Sequence, residues 1–336
     1  MKLGSEWFSV VIGTFALSLV SWMNSILFKL QVLFDVGKVI YFLALVLFVI
    51  IFSGWISRIM TNWREDMENL NRISFTAFLG VILFVAGSFF ITYVEKNYEI
   101  AYALLVLYFL GYSIVFLVNV HLGYELFTKG VTQNEISYAL LVPALALSAN
   151  VFLSAPLLSP SSHFISTYFV KIVYFIMLFS VGISFFQLIF IGSIALLSHI
   201  IYKESSAIIM IPVGAASVLA INVLAFPSYN YLHLFYFPPK SALTLAIMLW
   251  GFEIWNSVVA LITAVKHIKG KPSLISWAYV FPLAISAFSD FMLYQETSLP
   301  VFEAVAVAFS LAIVLLYAYS LRNTIFVLKF VLKNKV

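Results

Sequence analysis

Few residues of this 336-residue chain stand in patterns that do chemistry. Cysteine is absent, which excludes disulfides, thiolate metal sites and cysteine nucleophiles together. The five histidines, His121, His163, His199, His233 and His267, form no i, i+4 pair and have no acidic cluster beside them. Metal or haem ligation is therefore not expected, and no cofactor is implied. No Gly-rich phosphate loop, nucleophile elbow or metalloprotease motif occurs, so the chain does not read as an enzyme or as an ATP-driven pump. Two carboxylates in apolar stretches remain, Glu253 and Asp290, with a scatter of small and polar residues: Gly13, Thr14, Ser148, Asn150, Gly214, Ser217 and Asn222. Hydroxyls and amides of this kind donate weak hydrogen bonds to an anion without trapping it. Glu253 is a candidate protonatable site or, as the commoner alternative, a neutral, hydrogen-bonded structural residue.

These side chains must be held by a membrane-embedded scaffold. Hydrophobic residues make up 63% and charged residues 10%. A soluble fold lacks the interior to hide that much apolar surface. The chain has 34 Phe, more than interfacial belts use, so many must lie inside the bundle or line a cavity. A net charge of +4, scattered through short loops, does not point to nucleic acid. With about 20 apolar residues needed to cross the hydrocarbon, ten spans are expected, near 7–27, 33–57, 73–93, 100–120, 136–156, 166–198, 206–226, 241–265, 274–294 and 301–321. They form one domain over 1–336, the first run being a span rather than a secretory signal. The charge run at 58–72 extends helices beyond the lipid, and the aromatic segment 226–240 suits the headgroup layer.

Orientation follows from the cations. With both termini and the even-numbered loops inside, Lys2, Arg58, Arg64, Arg72, Lys129, Lys203, Lys266, Lys269, Lys271, Arg322, Lys329, Lys333 and Lys335 are cytoplasmic. Only Lys29, Lys38, Lys96, Lys171 and Lys240 face the other side. A multi-pass protein of the cell membrane with both ends cytoplasmic is expected.

Proline inside a span breaks its hydrogen-bond ladder. Pro143, Pro212 and Pro282 fall in odd-numbered spans at separations of 69 and 70 residues, the length of one helical hairpin. Gly80 lies 63 residues before Pro143, and Gly13 lies 67 before Gly80. Five similar hairpins, with bent odd helices around an axis, leave a channel. A ten-helix drug or metabolite carrier built from two halves would repeat near 140–150 residues instead.

Several stretches carry a resemblance. WFSVVIGTFALSL (7–19), RISFTAFLG (72–80), LVPALALSAN (141–150), LWGFEIW (249–255) and above all SWAYVFPLAIS (276–286) are similar, in order and spacing, to the tellurite-resistance/dicarboxylate transporter family. That family includes plant guard-cell slow anion channels, yeast malate transporters and sulfite exporters, and a bacterial tellurite-resistance protein. The resemblance implies an all-α membrane fold of ten helices in five hairpins, quasi-fivefold around a central pore, and a homotrimer with one pore per subunit. It also implies that Phe281, just before Pro282, projects into the pore and plugs it.

Together these readings predict a passive channel or channel-like transporter for small anions such as chloride, nitrate, sulfite or organic acid anions. Gly13, Thr14, Gly80, Pro143, Asn150, Pro212, Gly214 and Pro282 would line or kink the pore. The inner parts of the odd spans hold no Lys or Arg, so selectivity would come from weak donors, helix dipoles and electropositive entrances. The rivals are a proton-coupled carrier for malate-like acids, a sulfite exporter and an intramembrane enzyme. The last needs clustered ionisable groups, and Glu253 and Asp290 are 37 residues apart, with Asp290 placed toward the outer end of span nine, within reach of water.

Overall fold

In lipid every backbone polar group must be satisfied within the protein, and a helix does this locally. The computed structural model accordingly resolves the described residues into helices and short connections. It describes residues 3–94, 100–129, 135–159, 165–202, 207–267 and 272–333, without the side chains of 63–68, 202, 266–267 and 330–333. Lys2, Lys96, Lys203, Lys269, Lys271, Lys335 and His163 lie outside the described residues, as do the side chains of Arg64, Lys266, His267 and Lys333.

Among the described residues, ten helical units are long and apolar enough to cross a membrane. The five even spans are single helices: α2 (Gln31–Glu68), α5 (Ala101–Thr128), α8 (Thr167–Tyr202), α10 (Pro239–His267) and α12 (Pro300–Lys333). The first of these carries the 58–68 charge run as helix, with one non-helical residue at Asn62.

The odd spans are all broken. Span 1 is a 3-10 turn, Ser5–Trp7, followed by α1 (Phe8–Leu27), and span 3 is α3 (Leu70–Thr76) followed by α4 (Phe78–Tyr93). Span 5 runs from a 3-10 turn, Tyr138–Leu141, into α6 (Val142–Ser148) and, after a second break, α7 (Val151–Leu158). Spans 7 and 9 pass from 3-10 turns at Ala207–Met210 and Leu274–Tyr279 into α9 (Ile211–Ala225) and α11 (Val280–Thr297). The α segments at 8, 78, 142, 211 and 280 therefore start at intervals of 70, 64, 69 and 69 residues, the hairpin period. Pro143 and Pro212 are each second in their segment and Pro282 is third. In a first turn the missing proline N–H costs nothing, because those donors have no intrahelical acceptor. The prolines thus start new helices instead of bending continuous ones.

Packing separates the two sets. Between 44% and 89% of the apolar stretch of each odd span is buried, against 17–33% for the even spans. The odd spans contact one another in the order 1, 3, 5, 7, 9 and close back from 9 to 1. Each even helix packs between its own odd partner and the next odd span. This arrangement is compatible with a quasi-fivefold axis.

Candidate functional site

Three cavities follow one another inside this ring. The near cavity, about 310 Å3, sits at the N-terminal ends of the inner spans and is bordered by Glu6, Ser9, Phe75 and Ile211. The far cavity, about 290 Å3, sits at their C-terminal ends beside Trp22, Ser88, Thr92 and Phe288. Between them lies a central chamber of about 30 Å3 whose lining is wholly apolar, including Ile12, Ala16, Val81, Leu145 and Ile285. That is room for about two water molecules.

Two septa divide this line. Phe78 and Phe281 border both the near cavity and the chamber. Their rings meet edge to face, centroids 5.1 Å apart at 80°, and both are buried. Leu19, Phe89 and Phe152 border both the chamber and the far cavity. An apolar constriction offers an ion no replacement for its hydration shell, so each septum is a barrier to ions.

The breaks in the inner spans position these rings. Phe281 is the second residue of α11, directly after the 3-10 turn, and Phe78 is the first residue of α4. Glycine lets the spans close up behind them. A Cβ on Gly214 would stand 3.0 Å from Leu145 Cδ1 and 3.0 Å from Pro282 Cβ, and one on Gly13 would collide with the Trp277 ring. Trp277 is itself fixed by its indole N–H, which donates to Thr324 Oγ1 at 2.8 Å.

The opposite face of α11 is polar. The Ser286 hydroxyl donates to a carboxyl oxygen of Glu253 on α10. One turn further, Asp290 Oδ1 accepts the Trp250 indole N–H at 2.6 Å. Glu253 and Asp290 are both fully buried, which corrects the expectation that Asp290 reaches water. They are also electrostatic neighbours, despite the 37 residues between them. Helical spacing explains the meeting: Trp250 and Glu253 share a face of α10, and Ser286 and Asp290 share a face of α11. The Ser217 and Ser289 hydroxyls also stand at the Glu253 carboxyl, while Asp290 Oδ2 meets no hydrogen-bond donor. Chemically, such a pair can hold a proton.

The other residues singled out from sequence fall elsewhere. Thr14 Oγ1 donates to the Val10 carbonyl at 2.8 Å and lies 3.3 Å from Tyr317 Oη. Gly80 packs against Gly111 and Val115 of α5. Asn150 Nδ2 donates to Ser180 Oγ at 3.0 Å, and Asn222 Nδ2 donates to the Ser148 carbonyl at 2.9 Å. Pro212 borders a lipid-side groove between α8 and α10. Of the sequence-derived candidates among the described residues, only Phe281 borders any of these cavities, the near one and the central chamber; Gly13, Thr14, Gly80, Pro143, Asn150, Gly214 and Pro282 line none of the three. Phe78, Phe89, Phe152 and Leu19 escaped sequence reasoning. Phe78 carried a usable signal, since it opens α4 two residues before Gly80 at the hairpin period.

Comparison with known proteins agrees with this architecture. Residues 2–325 match the family described as voltage-dependent anion channel. Two proteins of Methanocaldococcus jannaschii, each named an uncharacterized transporter, are similar along most of their length. One is 22% identical over 306 residues, covering 87% of this chain and 84% of the relative. The other is 22% identical over 307 residues, covering 86% and 83%.

Proposed function

The chain belongs to the voltage-dependent anion channel family, and from that premise we propose that it is a passive channel for small anions whose path is the interrupted axis and whose gate is Phe281. One observation carries this reading: the Phe281 ring, seated on Phe78, separates the near cavity from the central chamber. Moving that ring joins the two. With no fixed cation on the chamber wall, an anion crosses by shedding water, so weakly hydrated monovalent anions should pass more easily than strongly hydrated or divalent ones. Nitrate is expected to exceed chloride, with sulfate last.

Near means cytoplasmic in this reading. Both termini face the cytoplasm of the cell membrane, and the chain assembles as a homotrimer with a pore in each subunit. An impermeant maleimide applied outside should label Ser159→Cys and spare Lys129→Cys; the reverse pattern would invert the topology. Phe281→Ala should raise anion conductance in planar bilayers with little gain for cations. A Phe281→Ala protein that folds normally, conducts no better than the parent and opens the central chamber no further from the near side sinks the gate.

A second reading, a proton-coupled carrier of organic acids, draws on the buried Glu253–Asp290 pair. Leaving both ionised costs on the order of 2.5–3.5 kcal/mol each on insertion scales, which suits the pair to keep a proton. Uptake driven by a proton gradient alone would favour this carrier over the channel.

A further inference from the structure

We infer that Phe152 is a second gate, in series with Phe281, closing the central chamber toward the far cavity. The inference rests on the axis being the anion path. Its first support is the partition itself. The chamber ends at two apolar septa, and Phe152 belongs to the far one with Leu19 and Phe89. Removing the Phe281 ring alone therefore leaves an apolar barrier across the path.

The second support is construction. Phe152 is the second residue of α7, directly after a break, as Phe281 is the second residue of α11. At that break the Ser148 carbonyl is taken by the Asn222 side chain, and Asn150 is tied sideways to Ser180. A side chain inserted into the backbone ladder makes a defined bend between two helical pieces. The eight residues of α7 can then tilt without dragging α6. Span 7 carries a second break of its own, where α9 passes into a 3-10 turn at Phe226–Leu232, but the second break of span 5 stands directly before a ring that borders the central chamber, Phe152.

The third support is room to move. Phe152 borders the far cavity on one side, and its ring partner there is Phe288, centroids 6.1 Å apart. Rotation toward that cavity would keep the ring beside Phe288 while clearing the septum.

The cysteine-free chain permits a direct test. Ala16 lines the central chamber, so Ala16→Cys places one thiol between the two septa. A small charged methanethiosulfonate is applied to reconstituted protein from one side at a time, and labelling after denaturation normalises for protein amount. With both rings present, Cys labelling should be slow from either side. Phe152→Ala should speed it several-fold from the far side only, Phe281→Ala from the near side only, and Phe152→Leu should open the far side less than Ala does. The double variant Phe152→Ala/Phe281→Ala should conduct several-fold better than Phe281→Ala. Leu19→Ala trims the same septum and repeats the test if Phe152→Ala folds poorly. Far-side labelling unchanged in both far-septum variants, or a double variant conducting like Phe281→Ala, overturns the second gate. Far-side opening by Phe152→Ala, with the near side still closed in Phe281→Ala, would instead keep this inference and reject the Phe281 gate.

Discussion

The two faces of α11 divide the molecule's work. Phe281, Ile285, Phe288 and Met292, at spacings of four, three and four residues, all border the axial cavities. Ser286 and Asp290 project from the other side of the same helix to meet Glu253 and Trp250. The ring-bearing stripe faces the axial cavities and the polar stripe faces a neighbouring helix. In a membrane, then, polarity alone does not mark an ion path. Polar side chains are drawn to one another between helices because lipid offers them nothing, while a gate needs an apolar ring to exclude water.

Mutations on the two stripes should separate these roles, and the largest response belongs to the axis. Phe281→Ala should raise anion conductance by about tenfold or more, equivalent to removing roughly 1.4 kcal/mol of barrier. Phe281→Leu keeps a bulky apolar plug and should open less. Next comes the polar stripe, read as stability. Asp290→Ala strands the Trp250 indole N–H in a buried site and should cost about 1–3 kcal/mol, visible as a lower unfolding temperature in detergent. If Asp290→Ala melts like the parent, the cluster is not holding α10 to α11.

Smaller still is the effect of Glu253→Gln, which keeps the shape and removes the ionisable group. Conductance should stay within a few-fold of the parent. Loss of a pH-dependent component of flux, with the protein still in the membrane, would move function onto the polar stripe and favour the proton-coupled carrier. The smallest effects belong to Phe109→Ala on α5 and Phe175→Ala on α8, two rings on outer helices. If these conduct as Phe281→Ala does, loosening of an aromatic-rich bundle explains all three, and the contrast between stripe and surroundings collapses.

The fold was legible to a large extent, because its signals are local. Apolar length set the ten spans, and the spacing of Pro143, Pro212 and Pro282 exposed the hairpin period that the helix starts at 142, 211 and 280 repeat. Of the rings that border the axial cavities, one was legible, since a resemblance in the 276–286 stretch singled out Phe281. The small residues of the inner spans were harder to place. Gly13 and Gly214 look from sequence like pore lining, yet close packing on Trp277 and Pro282 needs the same absence of a side chain.

What the sequence by itself determined is the number of spans, the hairpin period of the inner prolines and that the inner parts of the odd spans hold no Lys or Arg. Each of these follows from residue type at a position along the chain. Gly13 and Gly80, expected as weak points, lie inside continuous helices, and the break at 149–150 was not foreseen. Tertiary structure alone decided which rings meet on the axis and that Glu253 finds Asp290. The physical reason is loss of contrast. A soluble helix announces its inward face by alternating apolar and polar residues, but lipid is as apolar as the bundle interior. Phe152 and Phe175 therefore look alike in the sequence, and only packing turns the first toward the central chamber and leaves the second 56% exposed on an outer helix.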